Sequence, residues 1–113
     1  MKYNYEFSLF NGYKKKHLRM HLPKEIWLVE MFIFSDIEWE DEQISVMQKI
    51  DNVINEKSNT EEFQGNLCRL VIFKNITRVF ENIPETDKVD MCEIETLELK
   101  EIIEIWLAEK KIR

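Results

Sequence analysis

Residues 24–36 read KEIWLVEMFIFSD, and whether they form a strand or a helix decides how the rest of the chain packs. Only Glu30 interrupts the apolar run from Ile26 to Phe34, and apolar residues fill both faces at period 2 and at period 3.6. Pro23 in front of the run suits the first turn of a helix. The aromatic and β-branched residues Trp27, Val29, Phe32, Ile33 and Phe34 favour a strand covered on both sides, and a strand is the expectation here.

Upstream, residues 3–22 have the pattern of a β-hairpin. Tyr3, Tyr5, Phe7 and Leu9 alternate with polar residues, and Leu18, Met20 and Leu22 alternate with His17, Arg19 and His21. Asn11-Gly12 supplies the pair favoured by a two-residue type I′ turn. Counting back from that turn sets Tyr5 opposite Leu18 and Tyr3 opposite Met20, with both apolar sets on one face.

Downstream, SDIEWEDE (35–42) carries five carboxylates around one tryptophan. A helix is expected from Asp36 or Trp39 to about Lys57, with Ile44, Met47, Ile50, Val53 and Ile54 on its apolar face. Glu40, Asp41 and Glu42 would lie in its first turn, where the macrodipole favours negative charge. EKSNTEE (56–62) is expected to be a loop, 66–74 a strand, ITRVFENI its return, PETDKVD (84–90) a second loop, and MCEIE a short strand. Thr96 is the expected N-cap of a closing helix carrying Leu99, Ile102, Ile103, Trp106 and Leu107. The sum is a single α+β domain over 1–113: an antiparallel β-sheet, hairpin plus meander, packed by about two α-helices.

The composition excludes several classes. With two glycines and two prolines there is no room for a glycine-rich phosphate loop or a flexible linker. No apolar run approaches the roughly 18 residues of a membrane helix, and the polar start of the chain does not read as a secretory signal, so a cytoplasmic protein is expected. Cys68 and Cys92 are too few and too far apart for a disulfide framework or zinc site. The net charge of −6 is unevenly spread: residues 1–24 hold six Lys/Arg and one Glu, leaving ten Lys/Arg against 21 acids in the remainder. An acidic body disfavours direct nucleic-acid binding and favours a basic protein partner.

Tested for chemistry, SDIEWEDE offers no neutral ligand and no calcium-loop spacing. It is either the solvated start of a helix or a docking patch. His17 and His21 lack the glutamate of a zincin motif and are expected on one solvent face of a strand. YKKKHLR (13–19) suits an edge strand protected by lysines, or a weak phosphate-binding patch. Neither cysteine has a base beside it. Trp27 and Trp106 are expected in the core, whereas Trp39, between two glutamates, suits an interface. No catalytic, metal or cofactor site is expected.

The succession FSDIEWEDEQISVMQKIDNVIN, EEFQGNLCRLVIFKNITRVF and CEIETLELKEIIEIWLAEK resembles the immunity proteins of contact-dependent growth inhibition and related polymorphic toxin systems. The resemblance covers roughly residues 32–110, through Gly65-Asn66, Cys68, Thr77, Thr96, Leu99, Ile103 and Trp106. It does not extend to the basic hairpin. It implies a bacterial cytoplasmic protein that binds one cognate toxin domain, often a basic nuclease, without catalysis. The expected contact residues are Asp36, Glu38, Trp39, Glu40, Asp41 and Glu42, whose acids would stand in for nucleic-acid phosphates and speed encounter. The alternatives are a regulatory or structural subunit, homodimeric through the hairpin, and a small RNA-binding protein using YKKKHLR.

Overall fold

In the computed structural model, which describes residues 1–82 and 90–112, the segment that decides the fold is helical. A 3-10 turn, Lys24–Ile26, leads into α1, Trp27–Ser35. This corrects the expected strand. Leu28, Val29, Phe32 and Ile33 are fully buried, with Met31 packed against the same core. The helix lies between the N-terminal hairpin and the main sheet, touching strands on both sides and the last helix. An element covered all round keeps no polar face, so neither period survives in its sequence. Trp27, expected in the core, is instead 39% exposed at the start of the helix.

The hairpin pairs β1 (Glu6–Asn11) with β2 (Lys16–His21) and forms a two-stranded sheet of its own. Phe7 faces Met20 and Leu9 faces Leu18, so the expected pairing of Tyr5 with Leu18 is displaced by four residues along β1. The displacement is even, and side chains alternate with period 2, so the same residues still share a face. The cause is the turn. Gly12 does not take the positive φ that a type I′ turn requires. A four-residue loop, 12–15, is closed by the Gly12 N–H donating to the Lys15 carbonyl at 2.8 Å.

Glu30 of α1 holds the hairpin down. Its carboxylate accepts the Leu22 N–H at 2.7 Å and the Arg19 guanidinium at 2.9–3.0 Å. At the chain start, the Lys2 ammonium and the Tyr3 hydroxyl both donate to Glu95. Those two bonds, the lysine's first, hold the Glu95 carboxyl down at about 2. Burial, and then the bond to Glu95, push the Tyr3 phenol up to about 12.

The main sheet is an antiparallel meander of β3 (Thr60–Gln64), β4 (Cys68–Phe73), β5 (Ile76–Glu81) and β6 (Met91–Glu95). β3 begins inside the segment expected to be a loop. It is an edge strand that buries only Phe63, so its sequence TEEFQ carries little apolar signal. Register places Phe63, Leu70, Val79 and Cys92 in one buried row, with Ile72, Thr77 and Ile94 in the next. The opposite face is solvated, with Arg69 over the Phe80 ring and Arg78 over the Phe73 ring. Of the expected loop 84–90, all but Asp90 lies outside the described residues.

Among the described residues three α-helices, one more than expected, complete the α+β fold. α2, Glu40–Ile54, buries Val46, Ile50 and Val53. Its C-terminus closes by the Glu56 N–H bonding the Val53 carbonyl and the Lys57 N–H the Asn52 carbonyl, with Glu56 at φ 59° in the left-handed position usually given to glycine. α3, Thr96–Ile112, buries Leu99, Ile102, Ile103 and Trp106. Thr96 is the first helical residue, and its hydroxyl is committed to the sheet: it lies 2.6 Å from the Phe73 carbonyl and 2.9 Å from the Thr77 hydroxyl.

Candidate partner-binding surface

The eight residues SDIEWEDE do not form one surface. Asp36 terminates α1, its N–H donating to the Phe32 carbonyl at 2.8 Å, and its side chain turns inward. It is fully buried. One carboxylate oxygen accepts the Cys68 N–H at 2.8 Å; the other accepts the Leu67 N–H at 3.0 Å and the Ser35 hydroxyl at 2.8 Å. A buried acid satisfied by two backbone amides is a structural clamp between the α1 end and the turn before β4. Asp36 is therefore withdrawn from the set of expected contact residues. Gly65 completes the clamp, because a Cβ there would stand 2.4 Å from the Asp36 carboxylate. Ile37 is also fully buried, so the chain surfaces only at Glu38.

From there the outward residues are Glu38, Trp39, Glu40 and Asp41, with Glu42 half-buried. Trp39 is the N-cap of α2, in extended conformation at φ −99°, ψ 153°. Ser, Thr, Asp or Asn is preferred there because a side-chain oxygen caps free amides. Tryptophan offers no such acceptor. The reciprocal contact is made, the Trp39 N–H donating to Glu42 Oε1 at 3.2 Å. The Gln43 amide pins the turn by donating to the Ile37 and Glu38 carbonyls at 3.0 and 3.3 Å. The acids of the first turn suit the helix dipole, as the sequence suggested. Trp39 itself is 68% exposed, and among the described residues no hydrogen bond involves its indole.

Two concavities adjoin this stretch. A groove of about 590 Å³ runs between α2 and α3 over Ile44, Met47 and Leu107. Glu38, just before α2, and Glu40, its first residue, border it on one side, and Lys110 and Lys111 of α3 on the other. Ile44, expected in the core, is 57% exposed because the buried stripe of α2 runs through Val46, Ile50 and Val53 instead. A second cleft, of about 510 Å³, lies between the hairpin, the end of α1 and α3. Lys15, Lys16 and His17 wall one side, Phe34 and Trp106 another, and Glu38 and Lys110 are shared with the groove. Trp106 is almost fully buried, and among the described residues its indole N–H finds no acceptor. Such an orphan costs about 1–3 kcal/mol.

The basic and acidic parts of the chain, far apart in sequence, thus meet at Glu38. Sequence reasoning missed Lys110, Ile44 and the aromatic walls as neighbours of the acidic stretch. The signal was absent, since only the packing of α2 on α3 and of the hairpin on α1 brings them together.

Among the described residues, the two cysteines and the Ser8–His21 pair do not assemble a catalytic centre. Cys68 is buried with its thiol 3.6 Å from the Leu28 carbonyl, and burial first, then Asp36, pushes that thiol up to about 12. Burial raises Cys92 as well. Ser8 Oγ is 2.6 Å from His21 Nε2, and His21 Nδ1 is 4.0 Å from Glu30. That succession has the order of a hydrolytic triad, but 4.0 Å exceeds hydrogen-bond reach and Glu30 already serves Arg19 and Leu22. His17, expected to be exposed, is half-buried and stacked on Phe10. Among the described residues no three His, Cys, Asp or Glu side chains group as metal ligands, and no helix is long and apolar enough to cross a membrane.

Comparison with known proteins gives one informative match. A curated protein of Bacillus cereus described as "Immunity protein" is 40% identical to this chain over 115 residues, covering 98% of this chain and 91% of that protein. No family model matches the chain, and no solved structure matches it.

Proposed function

This chain belongs to the immunity-protein family of its Bacillus cereus relative, and we propose that it neutralises a cognate toxin domain by binding it, without catalysis, in the cytoplasm of the bacterium that makes it. The observation that carries the contact surface is Trp39. An aromatic side chain, 68% exposed, occupies a helix N-cap where it contributes no capping oxygen, flanked by the exposed acids Glu38, Glu40 and Asp41. Tryptophan is highly buried on average, and it is among the residues that dominate interface energetics. As a cap the Trp39 side chain does nothing that a serine would not do better.

The charge supports a basic partner. Residues 25–113 carry ten Lys/Arg against 21 acids, which steers a cationic surface into contact and raises the association rate. A nuclease toxin fits, because the surface that grips nucleic-acid phosphates is itself cationic. Systems of contact-dependent growth inhibition and other polymorphic toxins, which the sequence resembles, are the natural setting.

The test is co-expression with the toxin domain encoded beside the gene. Wild-type protein is expected to restore growth, and the Glu38→Lys/Asp41→Lys double variant to slow association about tenfold or more at low salt, with the difference shrinking as salt rises. Toxin binding by that variant at the wild-type rate would sink the surface assignment.

A further inference from the structure

The cleft beside the acidic stretch has the opposite charge. Lys15, Lys16 and Lys110 line it, with His17, and Glu38 is its one acid. Six cations elsewhere, Lys2, Arg19, Arg69, Lys74, Arg78 and Lys100, each pair with a carboxylate. No described carboxylate lies within ion-pair distance of the three cleft lysines. The Lys110 ammonium instead lies 5.4 Å from the Trp106 ring centroid. Three lysines therefore line one cleft with a single acid among its lining residues, in a chain whose acids outnumber its Lys/Arg by 22 to 16. The second observation is independent of charge: Trp106 lines the same cleft, and its buried indole N–H has no acceptor among the described residues. What the cleft lacks on both counts is an anionic acceptor.

We infer that this cleft receives a carboxylate side chain of the toxin while the neighbouring Glu38–Asp41 rim meets the toxin's cationic surface. The inference rests on the toxin-binding reading and specifies the partner's chemistry. Enzymes that cleave phosphodiesters hold metal ions with carboxylates inside a cationic substrate surface. A negative rim beside a positive cleft is the complement of that arrangement. It would place Lys16 and Lys110 on a group the toxin needs for its own chemistry. The apolar walls, Phe34 and Trp106, strengthen such an ion pair by excluding water.

The test has two arms. In the first, the indole N–H resonances of Trp27, Trp39 and Trp106 are followed by NMR as the full chain is titrated with sodium acetate, against sodium chloride at equal ionic strength. The Trp106 signal is expected to move saturably while the other two do not, and Lys16→Gln/Lys110→Gln is expected to reduce that response at least fivefold. A Trp106 signal that acetate moves no more than chloride does, or an undiminished response in the variant, overturns the site. Saturation by inorganic phosphate at a tenth of the acetate concentration overturns the choice of ligand. In the second arm, Lys16→Glu/Lys110→Glu is compared with wild type for toxin affinity, and a loss of about tenfold or more is expected. Wild-type protein that fails to neutralise overturns the toxin reading and with it the occupant. Wild-type success beside an unimpaired variant overturns the cleft alone.

Discussion

Replacing Asp36 by asparagine separates the structural and functional parts of the acidic stretch. The carboxylate accepts three hydrogen bonds, from the Cys68 and Leu67 amides and the Ser35 hydroxyl. Asparagine keeps one oxygen, which can serve Cys68. Its NH2 group then faces the Leu67 N–H, donor against donor. The Ser35 hydroxyl can turn to accept, so one bond is lost outright and one charge-assisted bond becomes neutral. A hydrogen bond to a charged group is worth about 1.5–3 kcal/mol and an ordinary one about 1. Against this, the variant no longer buries an ionised group, which returns part of the desolvation cost. The net expectation is a loss of about 2–3 kcal/mol. A domain of this size has a total stability of about 6–17 kcal/mol, so the variant folds at 25 °C. The midpoint of thermal unfolding should fall by about 8–12 °C. Equilibrium urea unfolding followed by circular dichroism gives the difference directly, with an unchanged slope expected. Toxin affinity of the folded variant should match wild type within about twofold. A variant as stable as wild type to within about 0.5 kcal/mol, or one that is stable but fails to bind, would refute the placement of Asp36 as a clamp.

Three further outcomes follow from the same geometry. Gly65→Ala drives a Cβ into the Asp36 carboxylate, which two amides hold in place, so a loss of about 2–4 kcal/mol in urea unfolding is expected, and a neutral result would show that the clamp yields. Trp39→Ser gains an N-cap oxygen but loses the contacts of a side chain about one-third buried, so stability should change by less than about 1 kcal/mol while toxin affinity, by calorimetry, drops by about 30-fold or more; a loss confined to stability would contradict the interface assignment. For Glu95, whose folded carboxyl is held near 2 against an ordinary value of about 4.3, the stabilisation is present above the ordinary value and is lost as pH falls through about 2. Glu95→Gln should therefore be less stable than wild type at pH 7, with the gap closing between about pH 4.5 and pH 2, and a gap that stays constant across that window would rule out this linkage.

Elements that present one polar and one apolar side were legible in the chain itself. The hairpin alternation, the periodic stripes of α2 and α3 and the strands β4, β5 and β6 all carry a repeat that matches their secondary structure. The elements that failed are those whose surroundings erase the repeat. α1 is enclosed by the hairpin, the sheet and α3, so it is apolar on nearly every side and reads equally as a strand. β3 sits at a sheet edge with one buried residue, so it reads as a loop. The hairpin register slipped by an even number because the side-chain period constrains parity, while the loop conformation sets the offset.

The candidate surface divides in the same way. Composition and local order alone determined that the body is acidic, that the acids crowd a helix start, and that Trp39 stands among them. Tertiary structure decided which of those acids face water. Asp36 is drawn inside because the amides of Leu67 and Cys68, some thirty residues away in the chain, need an acceptor where β4 meets the end of α1. It likewise set the lysines of the hairpin and of α3 around Glu38, since the distance between charges in space is fixed by packing and not by their order in the chain.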